Sequence, residues 1–184
     1  MLRLRQDPPD YTNNYRHDQW PDHRDRIQRT IEFARSAAPT SAADLSAGDG
    51  SVLRGLGLPD SALTFGDLVP PAGLAGEGWL QGPIEKTIGL LEPVDLYVST
   101  ETLEHLRKPF GHLEDVRSKA SRLLLSTPIH RADEPVDTNH EHLWQWDTVN
   151  LVVALAGIGW HLVRYETLDY RSLGGYRTML GLFE

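Results

Sequence analysis

Short apolar runs alternate with segments of helical spacing along most of this 184-residue chain, and that alternation restricts the fold more than any other feature. Ala42-Ala43-Asp44-Leu45, Ala62-Leu63-Thr64-Phe65, Trp79-Leu80-Gln81, Val94-Asp95-Leu96-Tyr97-Val98-Ser99 and Arg122-Leu123-Leu124-Leu125-Ser126 read as strands. Between them, Ser51 to Leu56, Ile84 to Leu91, Glu101 to Leu106 and Phe110 to Ala120 carry helical pattern. A further helix starts near Pro21-Asp22 and stops before Pro39, and another runs from an Asp147 cap to Gly157. Two last strands, about Trp160 to Tyr170 and Tyr176 to Phe183, are separated by Leu173-Gly174-Gly175. Strands alternating with helices predict an α/β protein with an open, mostly parallel sheet and helices on both faces. The closing pair is joined by too few residues for a crossover helix, so at least one of its strands runs antiparallel.

A chain of this length fits one domain, here residues 21–184, preceded by an N-terminal arm over 1–20. No apolar run is long enough for a membrane span, and the first residues have no apolar signal-peptide region. There is no cysteine, which excludes disulfides and thiolate metal sites. The expectation is a cytoplasmic protein. A net charge of −8 disfavours a partner held mainly through phosphates. The arginines among the first 35 residues read as the solvated face of a helix.

In sheets of this kind ligands sit beyond the carboxyl ends of the strands. The first such loop is Asp44-Leu45-Ser46-Ala47-Gly48-Asp49-Gly50, where Gly48 and Gly50 let a ligand approach the backbone closely. A Gly-x-Gly alone fits an ordinary strand-to-helix turn equally well. Asp67, at the end of the next strand, stands where a carboxylate accepts hydrogen bonds from a ribose diol, or where a turn aspartate is simply solvated.

Taken together, these segments resemble the class I S-adenosylmethionine-dependent methyltransferases. The loop from Asp44 to Gly50 looks like their glycine-rich first motif. Val94 to Leu106 resembles their fourth-strand segment with its Glu-x-Leu-Glu-His run, and Leu123 to Pro128 their fifth strand. His142 to Asp147, then Ala156 to Trp160, resemble the segment that leads into the closing strands. The likeness spans roughly residues 41 to 184 and is strongest to the subgroup containing ubiquinone-biosynthesis O-methyltransferases. It implies a Rossmann-like sheet of about seven strands with the last strand antiparallel, and S-adenosylmethionine as cofactor. Asp44, Ser46, Gly48 and Gly50 would then line its methionine and ribose side. Asp67 would take the ribose hydroxyls, Gly82, Pro83, Ile84 and Glu85 would lie along the adenine, and Thr100 and Glu101 beside the methionine. Ser46 stands where the family usually has a glycine, and Pro83 where it often has an aspartate.

Tyr11, Tyr15, His17, Trp20 and His23 crowd the segment before the first helix. Either they pin the arm to the body, or the arm closes over the cofactor and places Tyr15 and Trp20 beside it. The polar loop from Pro128 to Trp146 has no fixed ligand spacing, so no metal is expected there and substrate recognition is its expected role. His105, His140 and His142 are the candidate catalytic bases. The acceptor expected from the acidic balance is a small molecule or sugar rather than nucleic acid, taken up in a pocket that a second subunit of a homodimer completes. One rival is a degenerate methyltransferase fold that binds cofactor or a partner without catalysis. A nicotinamide-dependent oxidoreductase would show a third glycine where Leu53 stands.

Overall fold

The computed structural model describes residues 1–4, 21–69 and 79–184. The strands are β1 (Leu2–Arg3), β2 (Ala42–Asp44), β3 (Leu63–Asp67), β4 (Trp79–Gln81), β5 (Val94–Thr100), β6 (Ala120–Pro128), β7 (Trp144–Gln145), β8 (Leu162–Asp169) and β9 (Arg177–Phe183). The helices are α1 (Pro21–Arg35), α2 (Ser51–Gly55), α3 (Ile84–Thr87), α4 (Pro109–Arg117) and α5 (Thr148–Gly157). Seven strands form one sheet in the order β4-β3-β2-β5-β6-β9-β8. The pairs from β4 to β6 are parallel, and β9 runs antiparallel to both β6 and β8. The chain moves outward from β2 to β3 and β4, then returns to place β5 on the other side of β2. That reversal opens a crevice at the carboxyl ends of β2 and β5.

Side chains alternate across the central strands and divide the core in two. Tyr97, Leu123 and Leu125 pack with Ile84 and Ile88, with Leu113 and Val116 of α4, and with Leu151 and Leu155 of α5. Leu96, Val98 and Leu124 pack on the opposite face with Phe33 and Ala34 of α1 and Leu53 of α2. Buried polar tips are tied down: the Trp160 indole donates to the Leu113 carbonyl at 3.0 Å, and Tyr97 meets His112 at 3.2 Å.

Three elements differ from the expectations. The helix expected from Ile84 to Leu91 is α3 followed by a 3-10 turn over Ile88–Leu90, because the chain must tighten before Pro93. The helical pattern from Glu101 to Leu106 is a single 3-10 turn, Leu103–His105, after which Leu106 is extended. The loop before Trp146 contains β7, whose antiparallel partner is β1, so Leu2 and Arg3 lie opposite Gln145 and Trp144. Asp147 caps α5 as expected, accepting from the Asn150 amide at 2.9 Å. Among the described residues no helix is long and apolar enough to cross a membrane.

Candidate functional site

At the end of β2 the Asp44 Oδ1 accepts hydrogen bonds from the Ser46 amide at 2.8 Å and the Ser46 hydroxyl at 3.0 Å. This aspartate turn starts the glycine loop. The Ser46 hydroxyl in turn accepts from the Thr102 hydroxyl at 2.7 Å, which ties the end of β2 to the chain leaving β5 across the crevice. Gly48, at φ 56°, donates its amide to Asp67 Oδ2 at 2.9 Å, so the carboxylate ending β3 holds the loop in place. Gly50 has φ 76°, and a Cβ there would lie 3.0 Å from the Phe65 ring and 2.7 Å from Arg54. Sterics therefore require glycine at that position. Burial pushes the Asp44 carboxyl up to about 7, against the two Ser46 hydrogen bonds and with a further push from the Asp67 charge.

The remaining cofactor candidates lie along the same edge. Gly82 donates its amide to the Asp67 carbonyl at 3.0 Å, linking the end of β4 to that of β3. Pro83 begins α3 with its carbonyl accepting from Lys86 and Thr87, and it has no amide to offer a ligand. Ile84 is packed into the core, while Glu85 is exposed. Thr100 closes β5. Glu101 follows at φ 50°, a left-handed conformation held by its amide on the Ser126 carbonyl and its carboxylate on the Ser126 hydroxyl. Arg26 of α1 lies 3.6 Å from the same carboxylate. Tyr15 and Trp20 lie outside the described residues.

A second group of side chains sits beyond β5 and β6. Glu104 is 1% exposed; one oxygen accepts from the Thr127 hydroxyl at 2.8 Å, and the other has no hydrogen bond among the described residues. Burial raises its pKa, offset in part by His105 and His142 and reinforced by Glu101. His105 donates Nδ1–H to the Glu141 carbonyl at 2.9 Å, and its Nε2 lies 3.7 Å from Glu104 Oε1. His142 donates Nδ1–H to Asp137 at 2.5 Å. Its Nε2 accepts from the Asn139 side-chain amide at 3.2 Å, and Asn139 Oδ1 is itself fixed by the Glu141 amide. Both partners thus describe a neutral His142. Burial opposes its charge most, yet Asp137, Glu104 and Glu101 together raise its pKa, and protonation would turn the Asn139 contact repulsive. Burial alone would raise Asp137, but His130 Nε2 at 3.5 Å and hydrogen bonds from His142 and the Asn139 amide hold it well below the usual carboxylate range.

The structure therefore brings His105 and His142 together, with ring centroids 5.0 Å apart, and leaves His140 exposed on the loop outside this group. Sequence reasoning missed the parts of Glu104 and Asp137. A glutamate between Leu103 and His105 was the available signal for the first; nothing in the loop's spacing marked the second. One ligand atom from each of Glu104, His105 and His142 lies within 4.8 Å of the others, an arrangement able to hold a cation.

No family model and no curated protein matches this sequence. Solved structures do match it. The 1,6-didemethyltoxoflavin-N1-methyltransferase of Burkholderia thailandensis, crystallised with 1,6-didemethyltoxoflavin and S-adenosylhomocysteine, superposes with a TM-score of 0.69 at 15% identity, covering 96% of this chain and 92% of that one. The magnesium protoporphyrin IX methyltransferase of Synechocystis PCC 6803, with bound S-adenosylhomocysteine, gives 0.65 at 14% identity over 95% of this chain and 89% of its own. The small RNA methyltransferase HEN1 gives 0.62 at 18% identity over 88% of this chain but only 25% of its own. The chain has the Rossmann-like fold of the class I S-adenosylmethionine-dependent methyltransferases.

Proposed function

We propose that this protein is an S-adenosylmethionine-dependent methyltransferase that transfers a methyl group to an oxygen or nitrogen of a small-molecule acceptor. The observation that carries the reading is the strand-end crevice itself. Asp67 pins a loop that needs glycine at Gly50, while Asp44, Thr100 and Glu101 end the two strands between which the chain reverses. The cradle fits the cofactor's parts: Asp67 and Gly48 suit the ribose, and the buried Asp44 suits a cationic methionine group. Past β4, Gly82 and Ile84 can meet the adenine through backbone, and Pro83 through apolar surface.

Bound cofactor supplies a methyl group already activated on a sulfonium. The protein's task is to align an acceptor with it at about 3–3.5 Å and keep water out. A hydroxyl acceptor must lose a proton as it attacks; in protein without a bound ion His142, its Nδ1–H held by Asp137, takes that proton once its Nε2 releases the Asn139 amide. The small-molecule assignment follows the acidic net charge, the acceptor bound to the toxoflavin enzyme and the porphyrin for which the second enzyme of the same fold is named.

Calorimetric titration with S-adenosylmethionine and S-adenosylhomocysteine, with nicotinamide nucleotides as controls, tests the reading. Micromolar binding is expected, weakened at least about tenfold by Asp67→Asn, which is about 1.4 kcal/mol. Absence of binding to both forms would overturn it.

A further inference from the structure

We propose that Glu104, His105 and His142 form a binding site for a divalent first-row transition cation, of which Zn2+ and Mn2+ suit the donor set. The site goes beyond the methyltransferase reading, because it is built and tested without the cofactor. One carboxylate and two imidazoles are ligands these ions accept readily. The three come from two separate segments, the turn after β5 and the loop before β7, joined where the Leu143 amide donates to the Glu104 carbonyl at 2.7 Å.

Two features point to a ligand rather than to a chance cluster. The first is Glu104. Its side chain is almost wholly buried, Thr127 occupies one oxygen, and the other faces His105 Nε2 at 3.7 Å with no hydrogen bond among the described residues. A buried carboxylate oxygen left this way requires an explanation, and a cation between it and the His105 ring supplies one. The second is the anchoring of both rings. His105 gives Nδ1–H to a backbone carbonyl and His142 gives Nδ1–H to a carboxylate, the outer bonds that fix the tautomer and aim Nε2 at a metal.

The geometry needs a small closure. Donors bound at about 2.1 Å lie about 3–3.5 Å apart around an ion, so the 4.8 Å limit must shrink by about 1.3–1.8 Å. His142 Nε2 must also exchange the Asn139 amide for the ion, a neutral hydrogen bond for a metal bond. Three protein ligands leave coordination positions open, as in catalytic rather than structural sites. The three residues lie beyond the ends of β5 and β6, where Glu104 meets Thr127. An ion there takes an acceptor hydroxyl as its next ligand and lowers that hydroxyl's pKa, which assigns the protein to oxygen acceptors with a metal-binding group.

The test uses the full chain, dialysed against chelator, then titrated with ZnCl2 alone and MnCl2 alone, with bound ion counted after equilibrium dialysis. One ion per chain at micromolar affinity or better is expected. Glu104→Gln and His142→Gln should each weaken it at least about tenfold, and Asp137→Asn, which removes only the outer anchor, about ten- to a hundredfold. His161→Ala, an exposed histidine elsewhere, should leave it unchanged. Thermal melts show which variants fold; if Glu104→Gln does not, Asp137→Asn carries the test. No saturable binding by folded wild type overturns the proposal, and so does binding that survives both Glu104→Gln and Asp137→Asn within threefold. Neither result bears on S-adenosylmethionine binding, which is measured separately.

Discussion

The two sides of the crevice are assembled by different means. On the β2–β3 side, residues 44 to 67 build the site almost alone: an aspartate turn, two glycines at positive φ, and one carboxylate on a backbone amide. On the β5–β6 side, the chain supplies side chains from distant segments and fixes them by packing. Trp144 stacks on Trp146 with centroids 5.6 Å apart and donates its indole to the Leu106 carbonyl, while β1 pairs with β7 just beyond His142. The first side is shaped by local sterics and the second by long-range contacts among groups that titrate. The difference predicts that the sides respond to different perturbations and do so independently.

The largest effect is expected from pH on the first side. Asp44 has its pKa raised to about 7 in the folded protein by burial, against an ordinary value of 3.8. Its contribution to stability is therefore complete below about pH 4 and is lost as pH rises through 7. The full difference is about 4 kcal/mol, at about 1.4 kcal/mol per pK unit. Asp44→Asn keeps an acceptor for Ser46 but no charge, so its stability should change far less between pH 5 and 8. Urea unfolding of both proteins at the two values checks this; parallel losses would mean the pH dependence comes from elsewhere.

Next in size is the steric contrast. Gly50 and Gly174 both have positive φ, at 76° and 83°, but only Gly50 is crowded, since nothing lies within 4 Å of a Cβ at Gly174. Gly174→Ala should cost about 1–2 kcal/mol for its conformation alone. Gly50→Ala adds overpacking against Phe65 and should cost about 2–4 kcal/mol. Equal melting shifts would show that the glycine loop is looser than its contacts imply.

This contrast explains what could be read from the sequence. The sheet, its antiparallel last strand and the Asp44–Gly50 loop follow from local pattern, since short apolar runs and turn residues act within a few positions. The histidine group does not. His105 and His142 were visible as candidates, but their meeting depends on the Leu143–Glu104 backbone bond and on a two-residue pairing of β1 with β7, too short to leave a pattern. His140, two positions away, was indistinguishable from His142 until the fold buried one and exposed the other. Glu104 read as part of a motif, and only its burial beneath Thr127 shows that its charge must be answered.

On the second side, Glu104→Ala should cost about 2 kcal/mol, because the Thr127 hydroxyl, fully buried, loses its acceptor. Glu104→Gln can keep that bond and removes a buried charge, so in metal-free protein its stability should stay within about 1 kcal/mol of wild type. Neither change touches the glycine loop, so S-adenosylmethionine affinity should hold within about threefold in the Gln variant. A loss as large as that from Asp67→Asn would break the separation of the two sides.

The smallest effect is expected where the sides touch. The Ser46 hydroxyl donates to Asp44 and accepts from Thr102, and it is the side-chain bridge between the two strand ends. In Ser46→Gly the Thr102 hydroxyl keeps its bond to the Thr100 carbonyl at 3.0 Å, and Asp44 keeps the backbone amide of residue 46. Both bonds of the hydroxyl are lost, but Thr102 retains its other acceptor, so the net loss is one hydrogen bond, about 1 kcal/mol. Its value lies in the coupling it reports. If the bridge merely closes the crevice edge, Ser46→Gly shifts the melting point slightly and leaves both the Asp44 pH dependence and the Glu104 variants unchanged. If the bridge transmits between the sides, combining Ser46→Gly with Glu104→Ala departs from additivity by more than about 0.5 kcal/mol in a double-mutant cycle. Additivity is the expected result, because the hydroxyl contacts Thr102 and not Glu104.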